Sequence, residues 1–80
     1  MSKIHSILIS RRYFQLPNAI EWVINHKFKH YKIDITNNYY RFRQFNPSKY
    51  KSHRTITLTN GIEAIIEYSL LYNVSYINGN

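Results

Sequence analysis

A chain of 80 residues with net charge +7, 44% apolar and 16% aromatic residues, and no cysteine supports one small domain with an aromatic-rich core. The missing cysteines exclude disulfides and thiolate metal centres. No apolar run approaches the ~20 residues that span a bilayer, and no signal-peptide-like stretch opens the chain, so a non-membrane protein of the cell interior or of a particle is expected.

Residues 3–10 are rich in β-branched side chains and read as a first strand. Arg11 to Phe14 form a connection, and Leu16-Pro17-Asn18 opens a helix expected to run to about Lys27. Leu16, Ile20, Val23 and Ile24 make one apolar stripe, which Ala19 and Trp22 widen. The usual polar cap is absent; Gln15 occupies that place. His26 and Lys27 suit the negative end of the helix dipole.

From Tyr31 to Phe45 the period changes to two. Tyr31, Ile33 and Ile35 alternate with Lys32 and Asp34, then Tyr40 and Phe42 alternate with Arg41 and Arg43. Asn37-Asn38 offers a two-residue turn, because Asn tolerates positive φ. The implied hairpin sets Ile35 against Tyr40, Ile33 against Phe42, Asp34 against Arg41 and Lys32 against Arg43. Apolar pairs then share one face and charged pairs the other.

Residues 46–53 read as a basic loop, and Thr55 to Thr59 as a strand. Asn60-Gly61 is the strongest hairpin signal in the chain. A returning strand from Ile62 to Tyr68 would set Ile56 against Ile65 and Arg54 against Glu67. A helix over 61–71, capped by Asn60, fits the apolar spacing as a competing reading. The chain divides into a domain over 1–72 and a polar tail over 73–80.

His-Ser-Ile near the start, Phe14, Leu16, Ala19, Glu21-Trp22, the run from Tyr39 to Gln44 and Asn60-Gly61-Ile62 together carry a resemblance. The pattern, covering about residues 5–68, resembles a loose group of small uncharacterised proteins of large double-stranded DNA viruses and phages. The resemblance implies a viral setting, which the Ile-, Asn-, Lys- and Tyr-rich composition also suits. It implies no activity and assigns no site.

Residues 1–54 hold all 11 Lys and Arg, with Glu21 and Asp34 as their acids. That imbalance favours an acidic protein surface or nucleic acid as partner. Lys32, Arg41 and Arg43 form a candidate anion or partner site on the sheet, since Arg presents a planar fork to carboxylate or phosphate. The alternative is a solvated face on which Asp34 bridges Arg41. Arg11, Arg12, Lys49, Lys51, His53 and Arg54 are placed on connections, where they would track phosphates if they gather. Tyr13, Tyr39, Phe45 and Tyr50 lie near them in sequence and could stack on bases or close the core or an oligomer interface; Phe45 reads as the latter, while Tyr39 and Tyr50 stay open as stacking candidates.

His26 and His30 have i, i+4 spacing but no third ligand nearby, so no metal or other cofactor is expected. His5, on an apolar strand, reads as a satisfied core histidine. Four scattered acids and two glycines leave no catalytic constellation and no phosphate loop, so a non-enzymatic protein is expected. The expected architecture is α+β, ordered β-α-β-β-β-β: an antiparallel sheet of four or five strands, the later ones in a meander, with the helix on one face. Tyr31, Ile33, Ile35, Tyr40 and Phe42 would meet the helix. Two functions fit: a protein-interaction or virion-associated module, with self-association possible, or a nucleic-acid-binding accessory protein of low sequence specificity.

Overall fold

The computed structural model describes residues 2–45 and 51–69. It is an α+β fold: β1 (Ser2–Ser10), α1 (Leu16–Asn25), β2 (Ile33–Ile35), β3 (Tyr39–Arg43), β4 (Lys51–Thr59) and β5 (Ile62–Ser69). The five strands form one antiparallel sheet in the order β2-β3-β1-β5-β4. The later strands do not form a meander, because β1 lies between β3 and β5. The competing helix over 61–71 is ruled out through Ser69 by β5, and the expected tail over 73–80 lies outside the described residues.

The core follows from that central position. Ile7 and Ile9 of β1, Phe42 of β3, and Ile62 and Ala64 of β5 are fully buried with Ala19 and Val23 of α1. Central strands with neighbours on both sides bury their inward side chains most completely, and β2 lies at the edge. On β2, Ile33 therefore packs only partly and Ile35 is 58% exposed; Tyr31, before β2, is 79% exposed, and Tyr40, next to β2 on β3, is also only partly buried. Tyr31 and Ile35 do not belong to the core. The helix also stops short of the expected end at about Lys27. It ends at Asn25, Ile24 points out, and Lys27 takes the left-handed conformation (φ 63°) that usually falls to Gly after a helix.

Two β-bulges set the phase of the sheet. In the first, Ile4 opposes Ile66 and Ser6 opposes Ile65, so His5 is the extra residue. Without it Ile4 would face away from Ile7 and Ile9; with it Ile4 packs against the same core. The second bulge falls between Thr57 and Thr59 and shifts β4 by one residue against β5. Ile56 consequently opposes Ala64, not Ile65. Likewise Arg54 opposes Ile66, and His53 takes the place opposite Glu67.

The β2–β3 register is the one the alternation implies: Ile33 with Phe42, Asp34 with Arg41, Ile35 with Tyr40. Its turn is built differently from the expected one. Neither Asn37 nor Asn38 has positive φ. Thr36 closes the turn instead: its N–H donates to Tyr39 O at 2.9 Å, and its Oγ1 accepts from the Tyr39 N–H at 3.0 Å. At the β4–β5 turn Gly61 does have positive φ, at 83°. A Cβ there would lie 3.1 Å from Tyr13 Cδ2 and 3.3 Å from Phe14 Cε1. Gly61→Ala should therefore cost about 1–3 kcal/mol, read as a lower urea midpoint, from left-handed strain plus displacement of two rings.

Candidate functional site

The sheet face away from α1 carries alternate side chains of every strand. On it Arg41 and Arg43 converge on one oxygen. Arg41 Nη2 lies 3.1 Å from Asp34 Oδ2, and Arg43 Nη2 lies 2.9 Å from the same atom. The Arg41 hydrogen bond, aided by that from Arg43 and by the charge of both, holds the Asp34 carboxyl below its ordinary range against an opposing effect of burial. Asp34 thus bridges Arg41, as the alternative reading of this face has it, and binds Arg43 as well. Two guanidinium groups on one carboxylate leave one positive charge uncompensated within the trio. Both side chains keep more than a third of their surface exposed.

Arg43 also opens onto a cleft of about 360 Å³ lined by Lys29, Tyr31, Lys32, Arg43, Gln44 and Phe45. Three cations and two rings meet here. Lys32 and Arg43 are adjacent, with the Arg43 N–H donating to Lys32 O at 3.1 Å. Lys29 is the member that the sequence reading missed. It follows the helix in irregular chain, and what brings it in is the Gln44 side chain. Gln44 Oε1 accepts from the Lys29 N–H at 2.8 Å, and its Nε2 donates to Lys29 O at 2.9 Å and to Phe42 O at 3.2 Å. A buried amide thereby imitates a strand neighbour and satisfies backbone groups that no ladder reaches. Phe45, expected to close the core or an oligomer interface, is 42% exposed and so not part of the core. Lys3 Nζ stands 4.0 Å and Lys29 Nζ 4.9 Å from its ring centroid.

The remaining sequence-selected cations do not gather there. Arg11, Arg12, Tyr13 and Tyr39 line a separate hollow at the other end of β3, with Asn37 and Asn38. Arg11 Nη1 donates to Thr36 O, and its guanidinium lies over the Tyr40 ring at 5.6 Å. Hydrogen bonding to Glu63, followed by the charge of that carboxylate, raises the pKa of Tyr39. Arg54 and His53 are on strand β4, not on a loop, at the edge opposite β2. Lys49 and Tyr50 lie outside the described residues, and Lys51 is described only through its backbone in β4.

A second constellation forms beside the first bulge. His5, 9% exposed, sits edge-on to His53 with ring centroids 5.2 Å apart. His53 Nε2 lies 3.0 Å from Oε1 of Glu67, which is 2% exposed. His5 Nδ1 is 2.8 Å from Ser6 Oγ, whereas the buried Nε2 has no hydrogen-bond partner among the described residues. His5 is therefore not the satisfied core histidine expected from its strand. The i, i+4 pair is engaged elsewhere: His26 stacks on Trp22 and donates Nδ1–H to Trp22 O at 2.8 Å, while His30 lies against Tyr31.

Burial lowers the pKa of His5, with Glu67 opposing and His53, Arg41 and Arg43 adding to the effect. The unfolded chain then binds the His5 proton more readily than the folded one. Stability from this group is fully present above the unfolded pKa near 6.5 and is lost as pH falls through the lower folded value. Urea unfolding at pH about 7.5 and about 5.5 should show the loss, and His5→Gln should reduce the difference.

Among the described residues, no helix is long and apolar enough to cross a membrane. No family model, no curated protein and no solved structure matches this chain.

Proposed function

We propose that the chain is a non-enzymatic viral protein-interaction module that receives an acidic segment of another protein at the Lys29–Lys32–Arg43 cleft. The carrying observation is the pairing of that three-cation cleft with an arginine pair already engaged to a carboxylate. Asp34 displays the mode of recognition: guanidinium donors converging on a carboxylate oxygen. An incoming Asp or Glu would meet the unused Arg43 donors and the two ammonium groups, with Tyr31 and Phe45 supplying apolar contact. The net charge of +7 would steer an acidic partner toward it. A virion component, or a protein that docks on host machinery, fits such a surface, and the viral setting rests on the sequence resemblance.

Single-stranded nucleic acid is the competing ligand. Stacking on Phe45 would require displacing an ammonium group from its ring, which favours the protein partner. Fluorescence anisotropy of a labelled glutamate-rich peptide and of a single-stranded oligonucleotide, each at low and moderate salt, separates the two. The peptide should bind more tightly at moderate salt. Arg43→Ala should weaken it about tenfold or more, the loss of a hydrogen bond to a charged group being ~1.5–3 kcal/mol. Oligonucleotide binding that outlasts peptide binding as salt rises, and that falls with Arg43→Ala, would transfer the site to nucleic acid.

A further inference from the structure

We propose that His5, His53 and Glu67 form a binding site for a zinc-class divalent cation on the sheet face away from α1. One donor atom from each residue lies within 4.8 Å of the others, and the His53–Glu67 pair is already at 3.0 Å. Around a tetrahedral ion with ~2.1 Å bonds such atoms sit roughly 3.4 Å apart, so closure asks for a side-chain adjustment of about an ångström. Two imidazole nitrogens and one carboxylate oxygen are a donor set suited to zinc and its neighbours, not to magnesium or calcium, which favour oxygen.

Independent features point the same way. Among the described residues the buried His5 Nε2 has no hydrogen-bond partner, a state that polar atoms in folded proteins rarely keep without a bound species. Its Nδ1 meets Ser6 Oγ at 2.8 Å, the outer-shell contact that fixes ring orientation and leaves the other nitrogen's lone pair for a metal. His5 is itself the bulged residue, an irregularity that re-aims side chains and recurs beside functional sites, and the register shift near Leu58 sets His53 opposite Glu67. His53 keeps 36% of its side chain exposed, which gives an ion a path in and leaves a coordination position for water or a fourth ligand. At His5 the charge of the buried Glu67 carboxylate opposes that of Arg41 and Arg43, which Asp34 already holds.

The test is a titration of the full chain with Zn²⁺, followed by calorimetry and by the ring ¹⁵N resonances of all four histidines. One equivalent should bind and move the His5 and His53 resonances together, with no response to Mg²⁺. His53→Ala, at a half-open position, should weaken binding by more than tenfold, and Ser6→Ala by about tenfold through ring orientation. His26→Ala/His30→Ala should leave it unchanged. Glu67→Gln supplies a second ligand variant that keeps the side-chain shape. The proposal is overturned if Zn²⁺ does not saturate the wild-type chain, or if the resonances that move are those of His26 and His30. Affinity unchanged in His53→Ala would overturn it equally.

Discussion

Phe42→Ala is expected to lower the unfolding free energy by about 3–5 kcal/mol, the largest effect of any single truncation among the described residues. Phe42 is fully buried at the junction of three strands, opposite Ile7 of β1 and Ile33 of β2. It shares the core cluster with Ala19 and Val23, which are small or short and cannot spread to fill the space a phenyl ring leaves. A domain of this size holds only about 5–15 kcal/mol in total, so the variant should be close to unfolded at body temperature. Phe42→Leu, which keeps most of the volume, should cost less than about 1.5 kcal/mol. Urea melts with unchanged slope measure both. A Phe42→Ala cost near that of Phe42→Leu would show that this ring is not central to the core.

Gln44→Ala is expected to cost about 2–3 kcal/mol, which is more than an exposed glutamine could contribute. Its side chain makes three hydrogen bonds to the backbone of Lys29 and Phe42. Truncation removes them and leaves the Lys29 amide and carbonyl without their partner. The backbone N–H of Gln44 also donates to His5 O at 2.8 Å, so this residue links the helix exit, β3 and the first bulge. A second effect separates it from an ordinary core variant. With the clamp gone, Lys29 is no longer held in the cleft, and affinity for an acidic peptide should fall even where the variant is fully folded. Gln44→Glu should also destabilise, since a carboxylate cannot donate to the Lys29 and Phe42 carbonyls. Unchanged peptide affinity in folded Gln44→Ala would mean that the clamp is structural only.

These two residues also mark how far the sequence could be read. Strict alternation from Tyr31 to Arg43 was enough to place Phe42 inside, the arginines outside and Asp34 opposite Arg41, because period two leaves one register that sorts the faces. The Asn60-Gly61 turn was legible for a similar reason, since its glycine takes a backbone conformation that other residues resist. What stayed hidden was long-range or irregular. Nothing local states that β1 inserts between β3 and β5, so local periodicity assigns the core to the β2–β3 face and overvalues Tyr31 and Ile35. A bulge adds one residue without any composition signal. The one near Leu58 moved His53, not Arg54, opposite Glu67, and hid the histidine cluster. Gln44 stood in view beside Arg43, yet its role depends on a chain segment 15 residues earlier that no periodicity connects to it.

The cleft between the helix exit and the end of β3 brings Lys29, Lys32 and Arg43 together, and an acidic segment should bind there rather than at the other basic residues. The most direct test is a ¹H–¹⁵N map of the wild-type protein during titration with a glutamate-rich peptide. The largest shifts should fall on the amides of 29–32 and 43–45, with Asp34 following as its arginines are shared. Shifts concentrated along β4, or spread evenly over every basic residue, would contradict the account.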